Sequence, residues 1–379
     1  LNVTRNVFRE DHEMYRETVR RFLEKECLPR QAAWDAAGQV DRETWRKAGR
    51  EGLLCASLPE EYGGGGGDFG HAAVFAEETA RSGVSGPAFG MHSDIIAPYI
   101  HRAGNDEQKK KWLPGAASGE LILAIAMTEP GTGSDLKAVR TTAVREGDEY
   151  VINGSKTFIS NGLIADLIIV VCKTDPAAGA KGISLIAVEA TRAGFRRGRK
   201  LQKVGQFAQD TAELFFDNVR VPVGNRLGEE GKGFAYLMGE LPQERFSIAV
   251  AAAARLERAL ETTIDYVKDR RVFGQTVWDF QNTKFKLADI KAQAVAVRTM
   301  VDYYLAEHMR RRLTLEEAAI AKLFSTETLG KAIDEMVQLH GGYGYMLEYP
   351  IARDFVDMRV TRIYGGTSEV MRELISRKL

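Results

Sequence analysis

The chain has 379 residues, with 52 lysines and arginines balanced by 52 aspartates and glutamates, and 44% of it is hydrophobic, enough for a sizeable core. That length outgrows a single hydrophobic core, so two or three units are expected; zero formal charge without a long basic stripe argues against nucleic acid as a partner. No 18 apolar residues run together, and residues 1–11 lack the apolar segment of a signal peptide, so the expectation is a soluble, cytoplasmic protein with no stable membrane insertion.

Residues 11–119 carry a helical period broken by loops. Met14, Val19, Phe22 and Leu23 form one stripe, and Trp45, Ala48, Leu53 and Leu54 mark another, so an N-terminal helical unit is expected over residues 1–120. Gly63 to Gly67 have no preceding strand, no following helix start and no Lys-Ser or Lys-Thr pair. They read as a flexible connection rather than a phosphate cradle. Cys27, Cys55 and Cys172 are widely spaced and no His-Glu-x-x-His occurs, which suggests neither a disulfide nor a metal site.

From residue 121 the period changes to two. Residues 141–145, 150–152, 156–160, 167–172, 183–188 and 212–216 read as strands, with turns at Gly147-Asp148 and Asn153-Gly154 and a longer one at 175–182. Strand follows strand with no helical crossover. This predicts an antiparallel sheet or barrel over residues 121–228 and argues against a doubly wound nucleotide fold.

After residue 228 the helical period returns through 234–270, 283–312, 315–340 and 368–377, lengths that suit a four-helix bundle over residues 229–379. The fold class is α+β. In the first bundle helix, Phe234, Leu237, Met238 and Leu241 keep the helical spacing up to Pro242, so the helix passes through the proline with a kink. The same period aligns Glu244 with Ile248, Ala251 and Arg255, on a face whose next two turns are small and apolar. Such surroundings raise a carboxylate's pKa. Local sequence leaves a second reading open, in which Pro242 begins the helix and Glu244 completes its cap.

Three stretches carry a family resemblance: Ala126-Met127-Thr128-Glu129-Pro130-Gly131-Thr132-Gly133-Ser134-Asp135, Arg270-Arg271-Val272-Phe273-Gly274, and Gln338-Leu339-His340-Gly341-Gly342-Tyr343-Gly344-Tyr345. With them, and with the order helical unit, β-unit, bundle, the chain resembles the acyl-CoA dehydrogenases from end to end. The resemblance implies bound FAD, an acyl-CoA substrate, a place in fatty acid oxidation, electron-transfer flavoprotein as acceptor, and a homotetramer or dimer of dimers. It also allows a mitochondrial matrix location if a transit peptide has been removed.

By this likeness Met127, Thr128, Gly133 and Ser134 meet the flavin pyrimidine edge, and Ser134 also borders the pantetheine arm. Phe158, Ile159 and Ser160 match the place where an aromatic ring shields the flavin face and a small hydroxyl meets N5; most relatives have tryptophan at Phe158, whose plain alternative is a core aromatic. Arg270, Phe273, Phe280 and Gln281, with Gln338, Leu339, Gly341 and Gly342, resemble positions holding the FAD pyrophosphate and adenine, partly across a subunit boundary. An arginine fork and bare glycine N–H groups suit a diphosphate. Thr367 and Glu369, opening the last helix, match further cofactor contacts.

Many family members have glutamate, the base that removes the α-proton, where this chain has Gly365. The long-chain and isovaleryl branches carry it on the bundle helix instead, and residues 240–245 closely resemble the long-chain branch. The resemblance therefore makes Glu244 the base, with Pro242, Gln243, Arg245, Gly365 and Gly366 around the substrate. Arg245 is expected to meet CoA phosphates or ribose, its plain alternative being a surface salt bridge. Residues 88–100, mostly small or aliphatic, suit an acyl tunnel. Glu244 would take the α-proton while the β-hydrogen leaves as hydride to flavin N5, giving a trans-2-enoyl-CoA. Three other readings stay open: an acyl-CoA oxidase, a dehydrogenase of carrier-protein-bound acyl groups, and a non-catalytic acyl-CoA-binding flavoprotein.

Overall fold

The computed structural model describes residues 4–379; the first three residues of the expected N-terminal unit lie outside the described residues. Six helices come first: α1 (Glu10–Phe22), α2 (Gln31–Ala37), α3 (Arg42–Arg50), α4 (Phe69–Ser82), α5 (Ala97–Ala103) and α6 (Asp106–Ser118). Asp41, Asp68 and Asn105 start α3, α4 and α6 by accepting backbone N–H groups of the first turn. Val19, Phe22, Leu23, Trp45, Leu53 and Leu54 share one core with Phe89. Met14 does not join them: five residues before Val19, it falls off the helical stripe and is exposed.

The glycine run is not a flexible connection. Gly66 and Gly67 donate their N–H groups to the carbonyls of Leu58 and Ala56 at 2.8 and 2.9 Å. A Cβ on Gly64 would lie 2.2 Å from the Leu58 oxygen, so backbone packs on backbone where only glycine fits.

Eight strands form one sheet: β1 (Leu123–Ala126), β2 (Thr142–Glu146), β3 (Glu149–Ser160), β4 (Leu167–Lys173), β5 (Ile183–Glu189), β6 (Phe195–Lys200), β7 (Thr211–Pro222) and β8 (Arg226–Leu227). The order is β6-β7-β3-β2-β4-β5-β8, with β1 beside β4. Pairing is antiparallel except that β1 runs parallel to β4 and Thr142 makes one parallel pair with Lys173. Gly147-Asp148 turns β2 into β3 as expected. Asn153-Gly154 does not turn the chain; β3 continues through it and absorbs the irregularity as a register shift against β7. Leu167, Ile169 and Val171 of β4 pack under α5 and α6, while Ile168, Val170 and Cys172 face the opposite core. Covered on both faces, β4 is apolar throughout.

The rest is helical again: α7 (Gly233–Asp269), the short hairpin β9 (Arg271–Val272) and β10 (Gln275–Thr276), α8 (Gln281–Met309), α9 (Leu315–His340), α10 (Pro350–Met358) and α11 (Ser368–Ser376). Three long helices pack on one another. The fourth place in the expected bundle is shared by the shorter α10 and α11 and by α4, which lies against α7 and α8. α7 runs unbroken through Pro242, so Glu244 does not cap a helix start. Among the described residues no helix is long and apolar enough to cross a membrane.

A buried ion cluster ties α1, α4, α7 and α8. Glu77 of α4 accepts from Arg5 at 2.7 and 2.9 Å, Arg16 at 3.0 Å and Arg298 at 2.7 Å. Arg298 also reaches Glu257 of α7 at 2.6 Å, and Arg81 pairs with the same carboxylate. Burial alone would raise the Glu77 carboxyl, but the hydrogen bond from Arg5 and the charges of Arg298, Arg5 and Arg16 outweigh it and hold it at about 2. A carboxyl depressed in the fold stabilises above its unfolded value of 4.5, and that contribution is lost as pH falls towards about 2. Glu77→Gln leaves three arginines facing a neutral amide and should cost about 3–5 kcal/mol, read as a lower urea midpoint at pH 7. The gap between variant and wild type should narrow as pH is lowered below 4.5.

Candidate active site

Glu244 sits on α7 just past Pro242, and its face of the helix continues through the half-buried Ile248, Ala251 and Arg255. It is 7% exposed, and its Oε1 accepts a 3.1 Å hydrogen bond from the buried Tyr99 hydroxyl of α5. Burial pushes the carboxyl up to about 7; the bond from Tyr99 and the charge of Arg245 oppose the rise, and Glu240 adds to it. Such a group changes charge near neutral pH, as a general base requires.

Opposite Ile248 lies the turn Gly365-Gly366, with φ of +63° and +95°. Two cations hold its carbonyls. Arg245 Nε donates to the Gly365 oxygen at 3.1 Å and Lys322 Nζ of α9 to the Gly366 oxygen at 2.5 Å. Burial, then the charge of Arg245, bring the Lys322 ammonium down to about 8. Arg245 is therefore neither a surface salt bridge nor placed for phosphates in solvent: it is 4% exposed, bound to the turn, with Nη1 buried and unpartnered. Gln243 is also committed to protein, accepting from Arg102 at 3.1 Å and donating to the Asp94 carbonyl at 2.6 Å. It braces α7 against residues 91–103.

The second group lies where β1 leaves the sheet. Met127, Thr128 and Glu129 wrap around the buried Lys156, whose Nζ donates to the Met127 carbonyl at 3.1 Å, Glu129 at 2.8 Å and the Val171 carbonyl at 2.6 Å. Thr157 N–H returns to the Thr128 carbonyl at 2.9 Å. Gly133 and Ser134 are exposed on the rim. Phe158 is no core aromatic. It is 67% exposed at φ +59°, in a register irregularity of β3, a conformation that costs an L-residue about 1–2 kcal/mol. Ile159 points into the sheet's core, so it can offer a ligand only backbone, and Ser160 is half-buried at the strand end. Thr367 caps α11 by accepting the Val370 N–H at 3.3 Å, while Glu369 is exposed in its first turn.

A third group is a cavity of about 480 Å³ lined by Tyr266, Arg270, Gln338, Leu339, Gly341 and Gly342 among others. Gly341 and Gly342 are exposed and face open space, and the Arg270 guanidinium lies 5.3 Å from the Tyr343 ring centroid. His340 stacks on Tyr266 at 4.1 Å and shares a 2.8 Å hydrogen bond with the Met336 carbonyl, a structural role. Phe273, 95% exposed at the β9–β10 tip, and Phe280 and Gln281, opening α8, do not line this cavity. The 26 residues from Glu244 to Arg270 put the cavity and the Glu244 carboxylate about 39 Å apart along α7.

These residues suit FAD: an exposed, strained aromatic for the flat flavin, and an arginine beside bare glycine backbone for a diphosphate. With a buried carboxylate of raised pKa facing a glycine turn, fold and site define a flavoenzyme that removes hydrogen beside an activated carbonyl. The comparisons agree. Models of the acyl-CoA dehydrogenase N-terminal, middle and C-terminal domains match residues 9–120, 124–219 and 231–379. The mitochondrial long-chain specific acyl-CoA dehydrogenase of Sus scrofa is 50% identical over 377 residues, covering 99% of this chain and 88% of that protein. The crystal structure of an acyl-CoA dehydrogenase from Geobacillus kaustophilus superimposes with a TM-score of 0.97 at 49% identity, covering 99% of each chain. One from Bacillus anthracis, complexed with FAD, gives 0.91 at 34% identity, covering 98% of this chain and 67% of that one. The chain belongs to the acyl-CoA dehydrogenase family. It is an FAD-dependent oxidoreductase that dehydrogenates acyl-CoA in fatty acid oxidation, so the non-catalytic alternative falls away.

Sequence reading missed Tyr99 and Lys322. Tyr99 was hidden in a run read as small and aliphatic, where a lone phenol was the available signal. Lys322 shares the buried stripe of Ala318, Ser325 and Leu329, so a lysine on an apolar helix face was the clue.

Phe158→Gly tests the flavin-facing role. Strain relief offsets the added chain entropy, so apoprotein stability should stay within about 1 kcal/mol of wild type, while the FAD dissociation constant rises at least ~10-fold. A core phenylalanine would instead cost about 3–5 kcal/mol on truncation. Urea unfolding of apoprotein and FAD titration separate the two.

Proposed function

We propose that Glu244 is the base of the reaction and that the substrate is a fatty acyl-CoA whose α-carbon lies between Glu244 and the Gly365-Gly366 turn. The carrying observation is the buried carboxyl at about 7, on the helix face opposite a glycine turn whose carbonyls are held by Arg245 and Lys322. Bound FAD supplies the acceptor for the β-hydrogen. The chain's own residues do the rest. Glu244 takes the α-proton, leaving negative charge on the thioester oxygen. Backbone N–H groups of Gly365 and Gly366, on the turn whose carbonyls Arg245 and Lys322 hold, would donate to that charge as it develops. Met127, Thr128, Ser134, Phe158 and Ser160 would hold the flavin end. Residues 88–100, bound to α7 through Gln243 and Tyr99, form the wall for the acyl chain. The likeness to a long-chain specific enzyme supports a long acyl group, testable with acyl-CoAs of graded length. Electron-transfer flavoprotein is the proposed acceptor, as the family likeness implies; a structure 36% identical to this chain bears the description electron transferring flavoprotein of Acidaminococcus fermentans.

Assembly enters the same reading. A dinucleotide held at Arg270 and Gln338 is too short to span about 39 Å of α7 to Glu244 of its own chain. The Arg270 cavity therefore serves a flavin seated on another copy, in a homotetramer built as a dimer of dimers. Reconstitution should give about one FAD per chain only in the assembled species. Full FAD occupancy in a monomer on sizing would overturn this.

Glu244→Gln keeps size but removes the basic oxygen, so FAD and acyl-CoA should bind while anaerobic flavin reduction slows at least ~10²-fold. Reduction at the wild-type rate would remove Glu244 from the chemistry. In wild type the basic form accumulates as pH rises through about 7, so reduction should show an acid limb there that the variant lacks.

A further inference from the structure

The two oxygens of Glu244 are not equivalent. Oε1 accepts from the Tyr99 hydroxyl at 3.1 Å, and among the described residues no protein group bonds to Oε2. Tyr99 is itself firmly placed. It is 1% exposed, and one turn further along α5 Arg102 donates to Glu240 at 2.8 Å and Gln243 at 3.1 Å. Gln243 in turn donates to the Asp94 carbonyl at 2.6 Å, so contacts on both sides of Glu244 fasten residues 94–102 to α7.

We propose that Tyr99 is a positioning residue for the base: it holds Oε1 of Glu244 and turns Oε2 towards the substrate's α-proton. This rests on Glu244 being the base. The phenol lies in a site that keeps it protonated well beyond neutral pH, so it remains a donor whichever charge Glu244 carries. A donor to the carboxylate favours the charged form and restrains the upward push of burial. The other groups facing Glu244 act differently. On α7, Arg245 favours its charge from a fixed seat on Gly365, and Glu240 opposes it while paired to Arg102 of α5; on α9, Lys322 bears on Arg245. Among the described residues, the Tyr99 hydroxyl is the one protein group that hydrogen-bonds the Glu244 carboxylate.

Tyr99→Phe keeps the buried ring and removes only the hydroxyl. In single-turnover flavin reduction of the FAD-loaded enzyme, its acid limb should move to higher pH by about one to two units. The rate at pH 6.5 should fall at least ~10-fold, with a smaller loss at pH 9 and acyl-CoA binding unchanged. Fluorotyrosine placed at position 99, a stronger donor, should move the limb the other way, and it keeps the test open if the phenylalanine variant folds poorly. A loss equal at every pH, or a limb that ignores both changes, overturns the inference. With Glu244→Gln inactive, such a result removes Tyr99 alone; with Glu244→Gln fully active, the assignment of the base fails first.

Discussion

Keeping one carboxylate out of water yet able to ionise is the constraint on which the catalytic half of the molecule depends. Burial among the small turns of α7 makes Glu244 a stronger base, but unopposed it would leave the group protonated at neutral pH. The opposition comes from separate parts of the chain: a hydrogen bond from α5 and the charge of Arg245 beside it. Arg245 is in turn fixed by the Gly365 carbonyl, and its neighbour Lys322 by that of Gly366. The turn, the two cations and the carboxylate are thus one electrostatic unit, assembled only when α5, α7, α9 and the chain before α11 pack together.

α7 supplies the second constraint, which is length. Its 37 residues carry Glu244 near one end and lead directly into the Arg270 cavity at the other. Its middle is locked by Glu257, buried with Arg298 and Arg81, and through Arg298 to Glu77 on α4. A helix pinned in this way keeps Glu244 and the Arg270 cavity apart by a distance that rigid packing does not let it shorten. On the proposed assembly, the geometry of one helix would link subunit association to catalysis.

Much of this was legible in the sequence, because the signals were periodic. The 3.6-residue spacing through Pro242 gave a continuous helix and placed Glu244 on its small apolar face; short β-branched and apolar runs bounded by turn residues gave β2, β4 and β5 almost to the residue. Signals that depend on a partner far along the chain were not legible. Nothing near Arg245 says that Gly365 lies beside it, so its burial against that turn was not readable locally. Tyr99 and Lys322 have meaning only through Glu244 and Gly366, each over 40 positions away. Asn153-Gly154 has the composition of a hairpin turn, but β7 runs alongside and holds β3 extended across it. The glycine run shows the same limit: its composition suggests freedom, and the Leu58 backbone against it takes that freedom away.

Gly365 connects the sequence argument to the physical one. At φ +63° a side chain there is strained, and its Cβ would lie 2.7 Å from Ile248 Cδ1, on the helix face that carries Glu244. A glutamate at 365 would have to displace Ile248, and its carboxylate would share a low-dielectric space with Glu244. Two carboxylates so placed do not both ionise near neutral pH, so a second acid that ionised first would leave the shared proton on Glu244 and silence it as a base. Glycine at 365 and glutamate at 244 are therefore one choice rather than two. On the proposed assignment, space left by the missing side chain is space for the substrate's α-carbon, which Glu244 would reach from the opposite wall.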